Sequence, residues 1–257
     1  MAGLETLVDR PPWRIDHVPG RGSDLVVSFA SIGHDATRPP SPEFLRHATV
    51  GGRPALFVSD AARSWATAPG LADALGQALD WLRGRQQIAR ILGIGSSLGG
   101  FTALRAAEFA PLDAVLAISP QHRPAAPDEA RWRDWTHRLP PELTAPLPAR
   151  PWVILAHGLA DDAAQALAFP WRRAVDHLLF AGQTHAGLAR HLKTQGGLQG
   201  LIDSALAGDR RRLLRIAAGA GGHRRTGDLP GPPPPAALCT PALCIPGINP
   251  PDGQLPR

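Results

Sequence analysis

Six short apolar runs, none broken by polar alternation, constrain this chain more than any other feature. They are "LVVSFA" (Leu25 to Ala30), "ALFVS" (Ala55 to Ser59), "ILGIG" (Ile91 to Gly95), "AVLAIS" (Ala114 to Ser119), "WVILAH" (Trp152 to His157) and "HLLFAG" (His177 to Gly182). A strand with one face in water alternates apolar and polar residues, so runs without alternation belong to a sheet covered on both faces. Helical patterns lie between several of them. "GLADALGQALDWLRG" sets Leu71, Leu75, Leu79 and Leu82 on one face, "LGGFTALRAAEFA" follows the third run, and "LQGLIDSALAGDRRRLLRIAA" closes the series. Strand, helix and strand in repetition require right-handed crossovers, so the expectation is an α/β fold with a mostly parallel, doubly wound sheet. "PPWRIDHV" reads as an additional edge strand. A chain of 257 residues can bury one sizeable core of this kind.

The pattern stops near residue 217. From 218 to 257 proline and glycine dominate, including Pro232 to Pro235, and little apolar surface is left to offset the entropy of ordering. The expected organisation is a folded body, 1–217, and a disordered tail, 218–257. Cys239 and Cys244 fall in that tail as "CTPALC". Two thiols with no histidine at ligand spacing read as free thiols, so no metal is expected. Within the body, the connection from Pro120 to Arg150 is long for a compact domain. Its segment "PDEARWRDWTHRL" suits one short helix, and the stretch 120–150 is expected to form a small lid over the carboxyl ends of the strands.

A net charge of +5 raises the question of nucleic acid. The positive charge is almost all arginine, scattered along the chain, with Lys193 the only lysine. No basic run is interleaved with stacking aromatics, so nucleic acid is not an expected partner. The densest cluster, "GDRRRLLRI" (Gly208 to Ile216), reads as a solvated helix face. No segment approaches the roughly 18 apolar residues of a membrane span. The first twenty residues carry acids and prolines where a signal peptide needs an apolar centre, and the expected location is cytoplasmic.

Chemistry enters at "GIGSSLGG", Gly93 to Gly100. As a dinucleotide fingerprint it gives only G-x-G-x-x-x-G, after at least two strands and with Asp113 ahead of the next strand instead of at its end. As a phosphate-binding P-loop it lacks the Gly-Lys-Ser/Thr ending. The remaining functional reading is G-x-S-x-G, filled by Gly95, Ser97 and Gly99, in which a sharp strand-to-helix turn presents the serine. The bland alternative is a glycine-rich bend with solvent-facing serines. A serine hydroxyl is inert without a base, so the elbow reading demands an acid and then a histidine, each just beyond a strand. "GLADDAAQAL" after the fifth run carries Asp161 and Asp162, and "QTHAGLARHL" after the sixth carries His185. Asp161 could instead cap a helix, with Asp162 taking the acid's part. His177 lies within a strand run and His191 within the following helix, which leaves His185 as the base.

From about Leu25 to Leu192 this arrangement resembles the α/β-hydrolase superfamily. Its H-G-x-x-D phrase is matched by His157, Gly158 and Asp161, and a glycine shortly before the histidine is matched by Gly182. The resemblance implies Ser97 as nucleophile, Asp161 as acid and His185 as general base. It also implies an oxyanion hole from the Leu98 amide and an amide at Ala30 or Ser31. The H-G-G-G run of many lipases and esterases is missing from "SFASIGH". Arg63 and Trp65, directly after a strand in "ALFVSDAARSW", are expected to line the substrate pocket, with packing against the sheet edge as the alternative for Trp65.

The implied chemistry is hydrolysis of a carboxylic ester, thioester or amide of a small-molecule acyl substrate through an acyl-enzyme, with no cofactor. Trp132 and Trp135 in the lid and the many arginines suit an apolar acyl group on an acidic or polar carrier. Transfer of the acyl group to an alcohol would use the same three residues. A catalytically silent binding protein on the same fold is the alternative from another class.

Overall fold

The computed structural model describes residues 3–33, 35 and 37–227. Its centre is one nine-stranded sheet in the order β1-β2-β4-β3-β5-β6-β7-β8-β9. The strands are β1 (Glu5–Arg10), β2 (Trp13–Val18), β3 (Asp24–Phe29), β4 (Ala55–Asp60), β5 (Arg90–Ser96), β6 (Ala114–Ile118), β7 (Trp152–Gly158), β8 (Asp176–Phe180) and β9 (His223–Arg224). The six from β3 to β8 are the six apolar runs, and they pair in parallel. β4 and β6 are buried at every position, as continuous apolar runs require.

The helices are α1 (Leu45–Ala48), α2 (Leu71–Arg83), α3 (Leu98–Ala106), α4 (Arg133–Thr136), α5 (Leu159–Ala168), α6 (Leu188–Thr194), α7 (Gly197–Ala207) and α8 (Arg210–Gly219). Period-2 alternation along each strand divides the core in two. Leu25, Val27 and Phe29 of β3 face a layer holding α2 and α3, while Val26 faces a layer holding α6, α7 and α8. Leu71, Leu75, Leu79 and Leu82 of α2 are all buried, as their spacing predicts.

Four features differ from expectation, each for a physical reason. "WRIDHV" is a strand but not an edge, because β1 pairs outside it; β1, "ETLVDR", is polar at four of six positions and gave no apolar signal. The closing helical pattern is two helices: Gly208 is left-handed at φ 67°, and the Asp209 carboxylate accepts the Arg212 N–H to start α8. The body also continues past Ala217. β9 adds antiparallel to β8, and the Arg225 N–H donates to His177 O at 2.7 Å. Residues 218–227 therefore belong to the body; the tail expected beyond them, with Cys239 and Cys244, lies outside the described residues. Finally, the basic cluster is more than a solvated face. Arg210 donates twice to the buried Asp176, at 2.6 and 2.8 Å, and Arg224 and Trp152 complete that carboxylate's shell.

The 120–150 connection contains the short α4 and is otherwise irregular. It lies packed on the body, with Trp135, Leu139, Leu143 and Leu147 against the α2–α3 core layer, and is closed on itself by the Ala145 N–H donating to His122 O. Among the described residues no helix is long and apolar enough to cross a membrane.

Candidate active site

The strand order reverses direction at β3, with β4 on one side and β5 on the other. In an open parallel sheet the crevice for a ligand lies at such a point, outside the carboxyl ends of the strands. Ser31 follows β3 and Ser97 follows β5, and both line a cavity of about 660 Å³.

Ser97 sits between β5 and α3 with φ 54° and ψ −122°. A non-glycine residue held there stores on the order of 1–3 kcal/mol of strain, and the surroundings must enforce it. Two close approaches do so. A Cβ on Gly95 would lie 2.2 Å from the backbone of Gly99, and one on Gly99 would lie 2.1 Å from Phe29 O. The serine backbone is tied on both sides, its N–H donating to Ile118 O and its carbonyl accepting from Phe101 N–H. The bend is therefore a strained elbow, and Ser97 is left only 8% exposed at the cavity wall.

The second half of the site comes from β7 and β8. β7 ends in Gly158, which caps α5 and leaves no room for a side chain, since a Cβ would lie 2.3 Å from Gln183 O. Asp161 and Asp162 both stand in the first turn of α5, about 100° apart around the helix. This rotation separates their tasks. Asp162 is fully buried, and its Oδ2 meets His185 Nδ1 at 2.9 Å. Asp161 is exposed, and its Oδ1 accepts the His185 backbone N–H at 2.6 Å. The carboxylate on the ring is thus Asp162, not Asp161 as the H-G-x-x-D spacing suggested. Asp161 is not the helix cap either, since Gly158 holds that position. Burial alone would raise the pKa of Asp162. The hydrogen bond from His185, the His185 and His157 rings and the Arg131 charge outweigh it and hold the carboxyl below its ordinary range.

Ser97 and His185 line the same cavity without a hydrogen bond between them. The serine Oγ instead accepts from Gln121 Nε2 at 2.7 Å. Gln121 is fully buried just beyond β6, and its Oε1 accepts from Trp65 Nε1–H at 3.2 Å. The indole N–H can only donate, so it turns the amide NH₂ toward the serine. Nothing in "SPQHR" announces this residue, because a glutamine after a strand carries no pattern. Arg131, in the 120–150 connection, is a second group the sequence did not disclose. Its guanidinium joins Glu129 at 2.7 Å to Asp162 Oδ1 at 3.0 Å and donates to Asp161 O. The neighbouring Trp132 ring lies 4.8 Å from the His185 ring, centroid to centroid, and lines the cavity.

Three other expected residues are used differently. The Ala30 N–H donates to Val58 O at 2.9 Å and is not available to a ligand. The amides of Ser31 and Leu98 have no protein acceptor among the described residues. Trp65 and Arg63 do not line the cavity. Trp65 is fully buried behind Gln121, and Arg63 donates to the carbonyls of Ile32, Asp35, Arg38 and Ala61. The left-handed backbone at Arg63, Trp65 and Ala66 folds this segment back on itself, and Arg63 thereby ties down the loop that follows β3.

His157, the histidine of the same phrase, is buried. Its Nε2 contacts Pro120 O and its Nδ1 contacts His177 Nε2, each at 2.9 Å. Since Pro120 O must accept, His157 Nδ1 accepts from His177, and the two rings form a neutral pair. Burial, the largest influence, lowers the His157 pKa to about 4. Among the described residues no three His, Cys, Asp or Glu side chains are grouped to hold a metal ion.

No protein-family model matches the sequence, and no curated protein matches it either. Solved structures do. The capsule O-acetyltransferase of Neisseria meningitidis serogroup A superposes with a TM-score of 0.52 at 13% identity, over 76% of this chain and 94% of that one. An acylaminoacyl peptidase from Pyrococcus horikoshii gives 0.52 at 14% identity over 74% of this chain, which spans only 38% of the peptidase. MGS-M1, an α/β hydrolase enzyme from a Medee basin deep-sea metagenome library, gives 0.50 at 15% identity, over 84% and 98% of the two chains. The chain has the α/β-hydrolase fold.

Proposed function

We propose that this protein is a serine hydrolase acting on a carboxylic ester, thioester or amide through Ser97, His185 and Asp162. One observation carries the reading: a serine in a strained strand-to-helix turn shares a cavity with a histidine whose Nδ1 is already bonded to a buried carboxylate. With Nδ1–H committed to Asp162, Nε2 is the ring nitrogen left to act as base. In this reading Ser97 Oγ attacks the carbonyl carbon while His185 Nε2 takes its proton. The tetrahedral oxyanion is received by the N–H groups of Leu98 and Ser31. The intermediate then collapses, the leaving group takes the proton from His185, and Ser97 is left acylated. Water, deprotonated by His185, then attacks the acyl carbon, the bond to Ser97 Oγ breaks as Oγ takes that proton back, and the acid leaves.

Gln121 is a positioning group here. Its NH₂ donates to Oγ, which fixes the serine side chain and leaves the serine proton free to be given to the histidine. Hydrogen bonds of a catalytic site are often long until substrate is bound, so the serine–histidine bond belongs to the loaded enzyme.

Labelling with a fluorophosphonate probe tests the reading without knowledge of the substrate. Wild-type protein is expected to react at Ser97, and Ser97→Ala and His185→Ala to remain unlabelled although folded. Absence of labelling in folded wild type overturns it.

Acyl transfer to an alcohol is the second reading, favoured by the superposition on a capsule O-acetyltransferase over 94% of that chain. Turnover in the presence of candidate alcohols separates the two, since one yields free acid and the other a new ester.

A further inference from the structure

Residues of α1 and α6 line the cavity at Ser97. Apolar groups from Phe44, Leu45, Ala189 and Leu198 make up much of its lining. At its solvent-exposed margin stand three permanent cations, Arg46 on α1 and Arg190 and Lys193 on α6. Arg190 and Lys193 are three residues apart on one helix, so they lie on the same face. Lys193 is the only lysine in the chain.

The other charged groups facing the cavity do not cancel these three. Glu43 is the one carboxylate among its lining residues, and it accepts the hydroxyl of Ser31. His47 is held neutral at pH 7, its pKa lowered first by burial and then by the Lys193 charge. Among the described residues, neither Arg46, Arg190 nor Lys193 forms an ion pair with a carboxylate. Arg131, which does not line the cavity, differs: it is paired with Glu129 and Asp162. Like charges brought from two helices to one partly apolar cavity repel one another, and an anion of the ligand is what their convergence suits.

We infer that the substrate carries a carboxylate or phosphate that Arg46, Arg190 and Lys193 receive while its acyl carbonyl stands at Ser97. The inference rests on the hydrolase reading and names its substrate class. An apolar segment between carbonyl and anion would lie along Phe44, Leu45 and Leu198.

The test compares three fluorophosphonates of matched length on wild-type protein. One is neutral, one bears a terminal carboxylate on the alkyl arm that mimics the acyl chain, and one bears it on the alkoxy arm that mimics the alcohol. At least one anionic probe is expected to label Ser97 about tenfold faster than the neutral one at low salt. The arm that gains identifies which half of the substrate carries the charge. That ratio is expected to fall toward one in the double variant Arg190→Gln, Lys193→Gln, and to shrink at about 0.5 M salt, where screening acts within several Å. Labelling by all three probes at equal rates, or fastest by the neutral one, overturns the inference and leaves the hydrolase reading intact. A ratio above one that the double variant retains also overturns it. Absence of labelling by any probe overturns both.

Discussion

The two halves of the candidate site are held by different means. The Ser97 half is fixed by backbone against backbone: Gly95 against Gly99, Gly99 against Phe29 O, and a serine N–H bonded to the neighbouring strand. The His185 half is fixed by side chains drawn from distant parts of the chain. Asp162 comes from α5, Arg131 and Glu129 from the 120–150 connection, and Trp132 lies beside the ring. Backbone packing of the first kind leaves a mark in a few consecutive residues, because only glycine tolerates such an approach. Side-chain assembly of the second kind leaves none, because ordinary residues meet only once the chain has folded. The difference says where each half breaks.

The His185 half fails in chemistry. Asp162→Asn is expected to lower kcat, or the fluorophosphonate labelling rate, by about 10⁴, since the ring loses both its tautomer and its counter-charge. Asp161→Asn keeps an oxygen that can accept the His185 backbone N–H and removes only the charge, so it is expected to stay within about tenfold of wild type. Equal losses in the two variants would undo the division of labour between these carboxylates.

Failure of the Ser97 half is one of folding. In Gly99→Ala the new methyl collides with Phe29 O, and chemical denaturation is expected to register a loss of about 3 kcal/mol or an unfolded protein. Alanine accepted there without penalty would refute the backbone account of the elbow.

The buried His157–His177 pair, on the neighbouring strands β7 and β8, adds a pH dependence that either half would feel. Both folded pKa values lie below the ordinary histidine value of 6.5, that of His157 at about 4. The stability they contribute is complete above the unfolded value. It is lost as pH falls from 6.5 toward 4, because the unfolded chain takes up the protons first. A slope of about 1.4 kcal/mol per pH unit for each histidine is expected from denaturation at a series of pH values in that window. A flat profile would mean that the pair is not neutral in the folded protein.

Gln121 bridges the comparison, since it is a side-chain device acting on the backbone-held serine. Gln121→Ala is expected to lower kcat by about ten- to a hundredfold with KM little changed, because the hydrogen bond that holds Ser97 Oγ in place is lost. Trp65→Phe leaves the amide in place but unoriented, and a fall of severalfold is expected in the same assay. A larger effect from Trp65→Phe than from Gln121→Ala would mean that the indole matters through packing alone.

What the sequence determined follows from forces that act locally. Continuous apolar runs marked every strand from β3 to β8, and leucine spacing marked α2. The glycines around Ser97 marked the elbow, because a missing Cβ is a property of single positions. His185 was legible because it was the one histidine of its region standing just past a strand. Tertiary structure decided the rest. The rotation of α5 gave the ring to Asp162 in place of Asp161, and the ladder between β3 and β4 consumed the Ala30 amide. The left-handed turns after β4 carried Arg63 and Trp65 away from the cavity and behind it. Gln121, Arg131 and the three cations of α1 and α6 are chemically ordinary residues in an arginine-rich chain. They acquire a task only from what the fold sets beside them, and contact between distant residues is not written in the pattern of either one.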